Sequence, residues 1–354
     1  MTSRMPRADA RLVWARKALG DERLTLSAAS TDASFRSYWR TRHAGQSWIV
    51  MDSPPALEDP RPWLAIGAQL ADAGLHVPQV RAHDLDQGFL LIEDLGSRLY
   101  LSELRDDTAD ALYAPALDAL LRMQCMDDVH DLPVYDRAFL SRELELMPEW
   151  FLARHLGCTT TCEQWDVLEA AFTTILRAAL EQPRCFVHRD YHSRNLLVLD
   201  SSPQALVHCA AGMQQPLLAS PGIIDFQGAV HGPITYDLAS LLRDCYIRWD
   251  EDRVAAWVES HRRRLLGTRW QSGIPDQARF LRWFDLTGMQ RHIKVLGIFC
   301  RLHYRDHKPG YLGDLSRVYD YVIKVAERYS ELHAFAALLQ QHVGERDLSV
   351  VASS

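Results

Sequence analysis

The chain has 354 residues, 47% hydrophobic and 24% charged, with a net charge of −7. That length favours two lobes over one, and the composition is that of an ordinary soluble globular protein. The negative balance argues against a surface built to wrap nucleic-acid backbone, because sequence-independent phosphate binding needs a cationic face.

The N-terminal MTSRMPRADARLVWARKALG mixes acids among its arginines and holds no apolar run of signal-peptide length; no stretch of about 18 apolar residues occurs anywhere to span a membrane. Seven scattered cysteines without a CxxC pair or zinc-like His spacing read as reduced thiols of a cytoplasmic protein. Leu12, Trp14, Ala15 and Leu19 predict a first amphipathic helix ended by Gly20. SFRSYWRTR and SWIVMD, separated by His43-Ala44-Gly45-Gln46, predict a hairpin. Pro60 to Ala73, with Trp63, Ile66 and Leu70 near helical spacing and Gly74 beyond, predicts one helix, and HVPQVRAHD and GFLLIEDLG two more strands. Residues 1–95 therefore read as a small antiparallel sheet lobe with one helix.

From residue 96 to 354 the pattern is mainly helical, over roughly 107–126, 136–156, 163–182, 235–248, 250–266, 277–302 and 314–342. Short strand-like runs, CFVH, NLLVLD and GIID, interrupt it. The fold class is α+β, with a small patch of sheet inside the larger helical lobe. Residues 201–222 read as an insertion between NLLVLD and GIID, two runs expected to pair. Thr159-Thr160-Thr161 reads as a helix start, and the basic run His261-Arg262-Arg263-Arg264 as a solvated helix face.

The chemistry concentrates in FVHRDYHSRNLLVLD and GIIDFQ. Asp190, Asn195 five residues later, and Asp225 behind an apolar pair reproduce the spacing by which kinases aim polar groups from strand ends. Asp225 offers an anionic oxygen to Mg²⁺ and Asn195 a neutral one, while Asp190 orients an acceptor hydroxyl and takes its proton. His188 reads as a packed, hydrogen-bonded holder of the turn.

These stretches, with IIDFQGAVHGPITYDLASLLRD and FLLIEDLG, resemble the aminoglycoside phosphotransferase and choline kinase superfamily, relatives of the protein kinases. More narrowly, ASTDASFRSYWR, GPITYDLASLLRDCY and MQRHIKVLGIFCRLHYRD are similar to the bacterial anomeric kinases of N-acetylmuramate and N-acetylglucosamine. The resemblance implies a protein-kinase-like two-lobe fold, ATP and Mg²⁺ as cofactors, and an amino sugar as the small-molecule acceptor. It implies Asp190 as catalytic base, Asn195 and Asp225 as metal ligands, and Glu93-Asp94-Leu95 as the hinge whose backbone holds adenine. Asp237 would brace the catalytic loop, a role that competes with helix capping. Gln227, Arg243, Arg291, His292 and Lys294 are the candidates for sugar contact, with Trp249 and Trp283 available to stack on a ring.

The chain also departs from the family. STDASFRSY has no glycine where kinases drape backbone over phosphates, which leaves Ser34 and the backbone from Asp32 to Arg36 for cradling. SWIVMD carries no lysine; Met51 or Asp52 stands in that place, and Arg36 or Arg40 is the candidate substitute. Gly228 replaces an acid that relatives often place after the metal-binding motif. Two other functions stay open at this point: phosphorylation of an aminoglycoside, choline-like amine or other small alcohol, and a nucleotide-binding pseudokinase.

Overall fold

A computed structural model describes residues 6–31, 35–127, 129, 131–199, 206–208, 214–216 and 221–351, with the backbone alone at 30, 31, 206–208 and 214–216. The chain divides into two compact units, Met1–Glu103 with Asn195–Gln227, and Leu104–Arg194 with Gly228–Ser354.

In the first unit, α1 (Arg7–Leu19) precedes β1 (Ser27–Thr31), β2 (Ser37–His43), β3 (Gln46–Asp52), α2 (Arg61–Asp72), β4 (Val80–Asp84), β5 (Phe89–Glu93) and α3 (Tyr100–Glu103). The strands form one antiparallel sheet in the order β1-β2-β3-β5-β4. The β2–β3 hairpin closes more tightly than the four-residue loop expected: Ala44 (φ 50°) and Gly45 (φ 80°) both take positive φ, the two-residue turn that matches strand twist. Ala15 and Leu19 of α1 pack on Val50 and Leu91. The same face buries Asp52, whose carboxylate receives Arg7 at 2.6 Å and Arg11 at 2.8 Å. Arg11 in turn lies 3.7 Å over the Trp39 ring, so α1 is fastened to the sheet by charge as well as by apolar burial.

Residues Leu196–Leu197 pair antiparallel with Gly222–Ile223, as the two flanks of the insertion predict. Isolated bridges from Leu197 to Leu99 and from Gly222 to His76 tie this pair into the first unit. Within the insertion Leu206–His208 pairs with Gln214–Pro216; its remaining residues up to 220 lie outside the described chain.

The second unit contains α4 (Ala109–Gln124), α5 (Arg137–Leu144), a π-helical stretch Met147–His155, α6 (Cys162–Leu180), α7 (Tyr236–Leu242), α8 (Glu251–Leu265), α9 (Gln277–Tyr304), α10 (Leu315–Arg328) and α11 (His333–Val343), with Arg184–Val187 paired to Val230–Pro233. The single helix expected over 136–156 breaks near Pro148, which has no N–H for an i−4 bond. The run expected over 314–342 breaks at Tyr329, whose backbone turns extended while its hydroxyl donates to buried Asp285 at 2.7 Å. Thr161 starts α6 with a reciprocal capping box to Gln164. The basic run on α8 divides, because His261 is fully buried against Gln124 while Arg262 and Arg263 pair with Glu259.

α9 is the spine of this unit, buried along most of its length from Phe280 to Cys300. It comes so close to the turn before the π-helical stretch that a Cβ on Gly297 would stand 2.4 Å from the Leu146 carbonyl. Backbone cannot yield as a side-chain tip does. Gly297→Ala should therefore destabilise the protein by about 1–3 kcal/mol, read as a lower urea midpoint at an unchanged m-value; an unshifted midpoint would refute this packing.

Candidate active site

The turn after Val187 is shaped by acids of the segment YDLASLLRD. Asp237 sits in the first turn of α7, but its carboxylate points at the loop and not at the helix's own N–H groups: it accepts the backbone N–H of His188 at 2.6 Å and of Arg189 at 3.0 Å. Arg189 holds φ 76°, a left-handed conformation uncommon for a long side chain. Asp244, seven residues on, accepts the Ser193 N–H at 2.9 Å and its hydroxyl at 2.5 Å. His188 is completely buried and its Nδ1 accepts the Asp190 N–H at 3.3 Å.

Arg189 is anchored from its other end. Its guanidinium donates to Glu143 at 2.5 Å, and the same carboxylate receives Lys294 at 3.2 Å, Gln290 at 3.3 Å and the Tyr135 hydroxyl. Burial pushes Glu143 up, yet Lys294 and Arg189 outweigh it and keep it ionised. Asp190 follows the same balance. Burial raises its carboxyl, but Lys294, His192, Arg291 and Arg189 together hold it down at about 2, so it is a carboxylate at neutral pH. Asp237 goes the other way: burial pushes it up to about 7, against the two N–H groups that favour its charged form.

In the first unit, Asn195 and Asp225 come together. Asn195 Nδ2 stands 3.5 Å from Asp225 Oδ2, and the Asn195 carbonyl accepts the Ile224 N–H at 3.1 Å. Asp225 adopts φ 65°, and Phe226 behind it is buried against Trp63 of α2, ring centroids 5.1 Å apart. Gly67 makes room for that ring, since a Cβ there would lie 3.2 Å from it. Gln227 donates to Asp225 Oδ1 at 2.7 Å, and Arg36 Nη2 approaches the same oxygen at 3.2 Å. One carboxylate and one amide are hard-oxygen donors suited to Mg²⁺ that completes its shell with water and phosphate. Asp225 already pairs with the Arg36 guanidinium, and no cluster of three or more His, Cys, Asp or Glu at metal-binding distance exists among the described residues.

The remaining candidates are placed as follows. The Glu93 carboxylate takes His76 at 3.0 Å and the Gln79 N–H at 3.3 Å, while its own N–H pairs with the Gln79 carbonyl. Arg40 reaches Asp94 at 2.6 Å and thereby ties the segment before Leu95 to β2. Ser34 lies outside the described residues. Arg243 is buried, in an ion pair with Glu251 at 2.9 Å and in another with Asp285 at 2.8 Å that is off the line of a hydrogen bond. Arg291 donates to the Cys245 sulfur at 3.0 Å. His292 stacks on Tyr321, its Nε2 2.8 Å from the Arg243 carbonyl, and burial beside Arg291 pushes it down to about 3. Trp249 and Trp283 are both core residues. Sequence reasoning passed over Asp244, Glu143 and Glu58, whose carboxylate lies 3.3 Å from Arg36 Nε. Asp244 is legible in hindsight from its i+7 spacing to Asp237, and Glu143 as an acid on the apolar side of α5.

Residues 25–281 match the phosphotransferase enzyme family. The chain belongs to that family. It is 43% identical over 324 residues to an N-acetylmuramate/N-acetylglucosamine kinase of Pseudomonas putida, covering 90% of this chain and 88% of the relative. A kinase of the same description from Pseudomonas aeruginosa is 44% identical over 317 residues, 89% and 87% of the two chains. Among solved structures, an ADP-bound aminoglycoside phosphotransferase superposes with a TM-score of 0.56 at 14% identity, covering 87% of this chain and 96% of that one, a likeness of fold. The protein is thus a phosphotransferase of protein-kinase-like fold, as its motifs imply.

Two outcomes follow from this geometry. Asp237→Asn leaves one acceptor oxygen for two buried N–H donors, which costs about 1–3 kcal/mol; phosphotransfer should fall at least tenfold, and full activity in the variant would show that the bracing is dispensable. For His292, the unfolded chain binds a proton near the ordinary value of 6.5 while the folded chain refuses it until about pH 3. Stability conferred by the neutral ring is therefore complete above pH 6.5 and drains away as the pH falls toward 3. His292→Gln should flatten the dependence of melting temperature on pH across that window, and an equally steep curve would count against it.

Proposed function

We propose that this chain transfers the terminal phosphoryl group of ATP to the anomeric hydroxyl of N-acetylmuramate or N-acetylglucosamine, giving the sugar 1-phosphate within cytoplasmic recycling of cell-wall sugars. The observation that carries this reading is the 43–44% identity, across about nine-tenths of the chain, to kinases described as acting on those two sugars. Residues 1–95 serve as the nucleotide-binding lobe and 96–354 as the catalytic and acceptor-binding lobe, with adenine held by the backbone of Glu93 to Leu95.

Asp190 accepts the proton of the sugar's C1 hydroxyl as that oxygen bonds to the γ-phosphorus and the bond from the γ-phosphorus to the bridging oxygen breaks, releasing ADP. In a loose transition state the attacking oxygen gives up its proton late, so a carboxylate held near 2 suffices if it is well placed. Asn195 and Asp225 would hold Mg²⁺, which when bound would neutralise charge on the phosphate oxygens. Gln227, hydrogen-bonded to Asp225, keeps that carboxylate oriented.

A pseudokinase has no chemical need of Asp190, Asn195 and Asp225 together.

Incubation with ATP, Mg²⁺ and each sugar, followed by phosphorus NMR, should reveal a sugar 1-phosphate, and a 1-deoxy sugar should give no product. Asp190→Ala should lower turnover by about 10²–10⁴-fold while Mg·ATP affinity changes little. Turnover with amines alone, or undiminished turnover in that variant, would overturn the assignment.

A further inference from the structure

The strand that carries a phosphate-anchoring lysine in kinases ends here in Met51-Asp52, and the register of the sheet decides which of the two faces which way. Directly opposed residues of an antiparallel pair share a face, and alternate residues of a strand point to opposite faces. Trp39 opposes Val50, which opposes Leu91, and all three belong to the core under α1. Asp52 lies on that side too, two residues from Val50 and in the grip of Arg7 and Arg11 of α1. Met51 lies on the other face, opposed by Tyr38 on β2 and Leu90 on β5. On that face the lysine position is apolar, and the charge it lacks must come from elsewhere.

The same register places Arg40, opposed by Ile49, on the Met51 face, while Arg36 lies just before the start of β2. Arg40 is committed to the hinge, bound to Asp94 through Nε at 2.6 Å and Nη2 at 3.0 Å. Arg36 instead extends to the metal motif. Its side chain is only 4% exposed, its Nε lies 3.3 Å from Glu58, and its Nη2 lies 3.2 Å from Asp225 Oδ1. Arg36 is thus held at Nε by Glu58 and at Nη2 by Asp225, and a planar guanidinium directed in this way is of the kind that binds phosphate oxygens.

We propose that Arg36, steered by Glu58, is the cation that binds the nucleotide's phosphate chain in this protein, supplied from just before the second strand of the sheet and not from the third. The assignment rests on the kinase reading above. A phosphate bound beside Asp225 would lie next to this guanidinium, whose direction Glu58 helps to fix.

Titration calorimetry of the full chain with Mg·ATP and, separately, with adenosine tests it. Arg36→Ala should weaken Mg·ATP by about tenfold or more and leave adenosine within about twofold. Arg36→Lys, which keeps the charge and spares the fold, should lose less than alanine does, and Glu58→Gln should weaken Mg·ATP while leaving adenosine unaffected. Unchanged Mg·ATP affinity in Arg36→Ala, or equal losses for ATP and adenosine, would overturn the assignment of Arg36 alone. Failure of the unsubstituted chain to bind Mg·ATP would instead overturn the kinase reading and this assignment with it.

Discussion

One carboxylate gripping two consecutive backbone N–H groups sets the turn that carries Asp190. Asp237 accepts from both His188 and Arg189, and Arg189 itself holds a left-handed conformation. Such a residue costs of order 1–3 kcal/mol and persists where its surroundings over-determine it. Here they do so from both ends, since Asp237 holds the backbone and Glu143 the guanidinium. Asp190 is the next residue, and its direction is set by that turn.

Charge in the second unit is arranged around the same point. Glu143 is buried yet ionised because Lys294 and Arg189 converge on it, and these two cations also act on Asp190. Breaking a buried pair by removing one partner strands the other charge, a penalty larger than the net worth of the pair. The network therefore behaves as a unit: it keeps Asp190 charged and weakly basic while burial drives neighbouring Asp237 the opposite way. Position, not basicity, is what such an arrangement supplies, and phosphoryl transfer demands little more of its base.

The first unit solves a similar problem with packing. Phe226 is wedged against Trp63 and over Gly67 of α2, and the residue before it, Asp225, is thrown into positive φ with its oxygens directed to Asn195, Gln227 and Arg36. Asparagine and aspartate tolerate that conformation better than other side chains do, which suits an acid to the place. α1 adds rigidity from the other face of the sheet through Asp52 and its two arginines.

Local information carried much of this. Helical periodicity, the Thr161 cap, the hairpin around Gly45 and the Asp190, Asn195 and Asp225 spacing depend on residues a few positions apart, and so they were legible in the one-dimensional order. Where prediction slipped, at Pro148, Tyr329 and His261, a partner distant in the chain or a missing N–H outweighed propensity. The residue types and spacing of a phosphotransferase were determined by the sequence alone. Which face of β3 holds Asp52, that Arg243 and His292 are enclosed in core contacts, and that Arg36 meets Asp225 across 189 residues were decided only by the tertiary structure, because strand register and burial are set by contacts between segments that the linear order does not bring together.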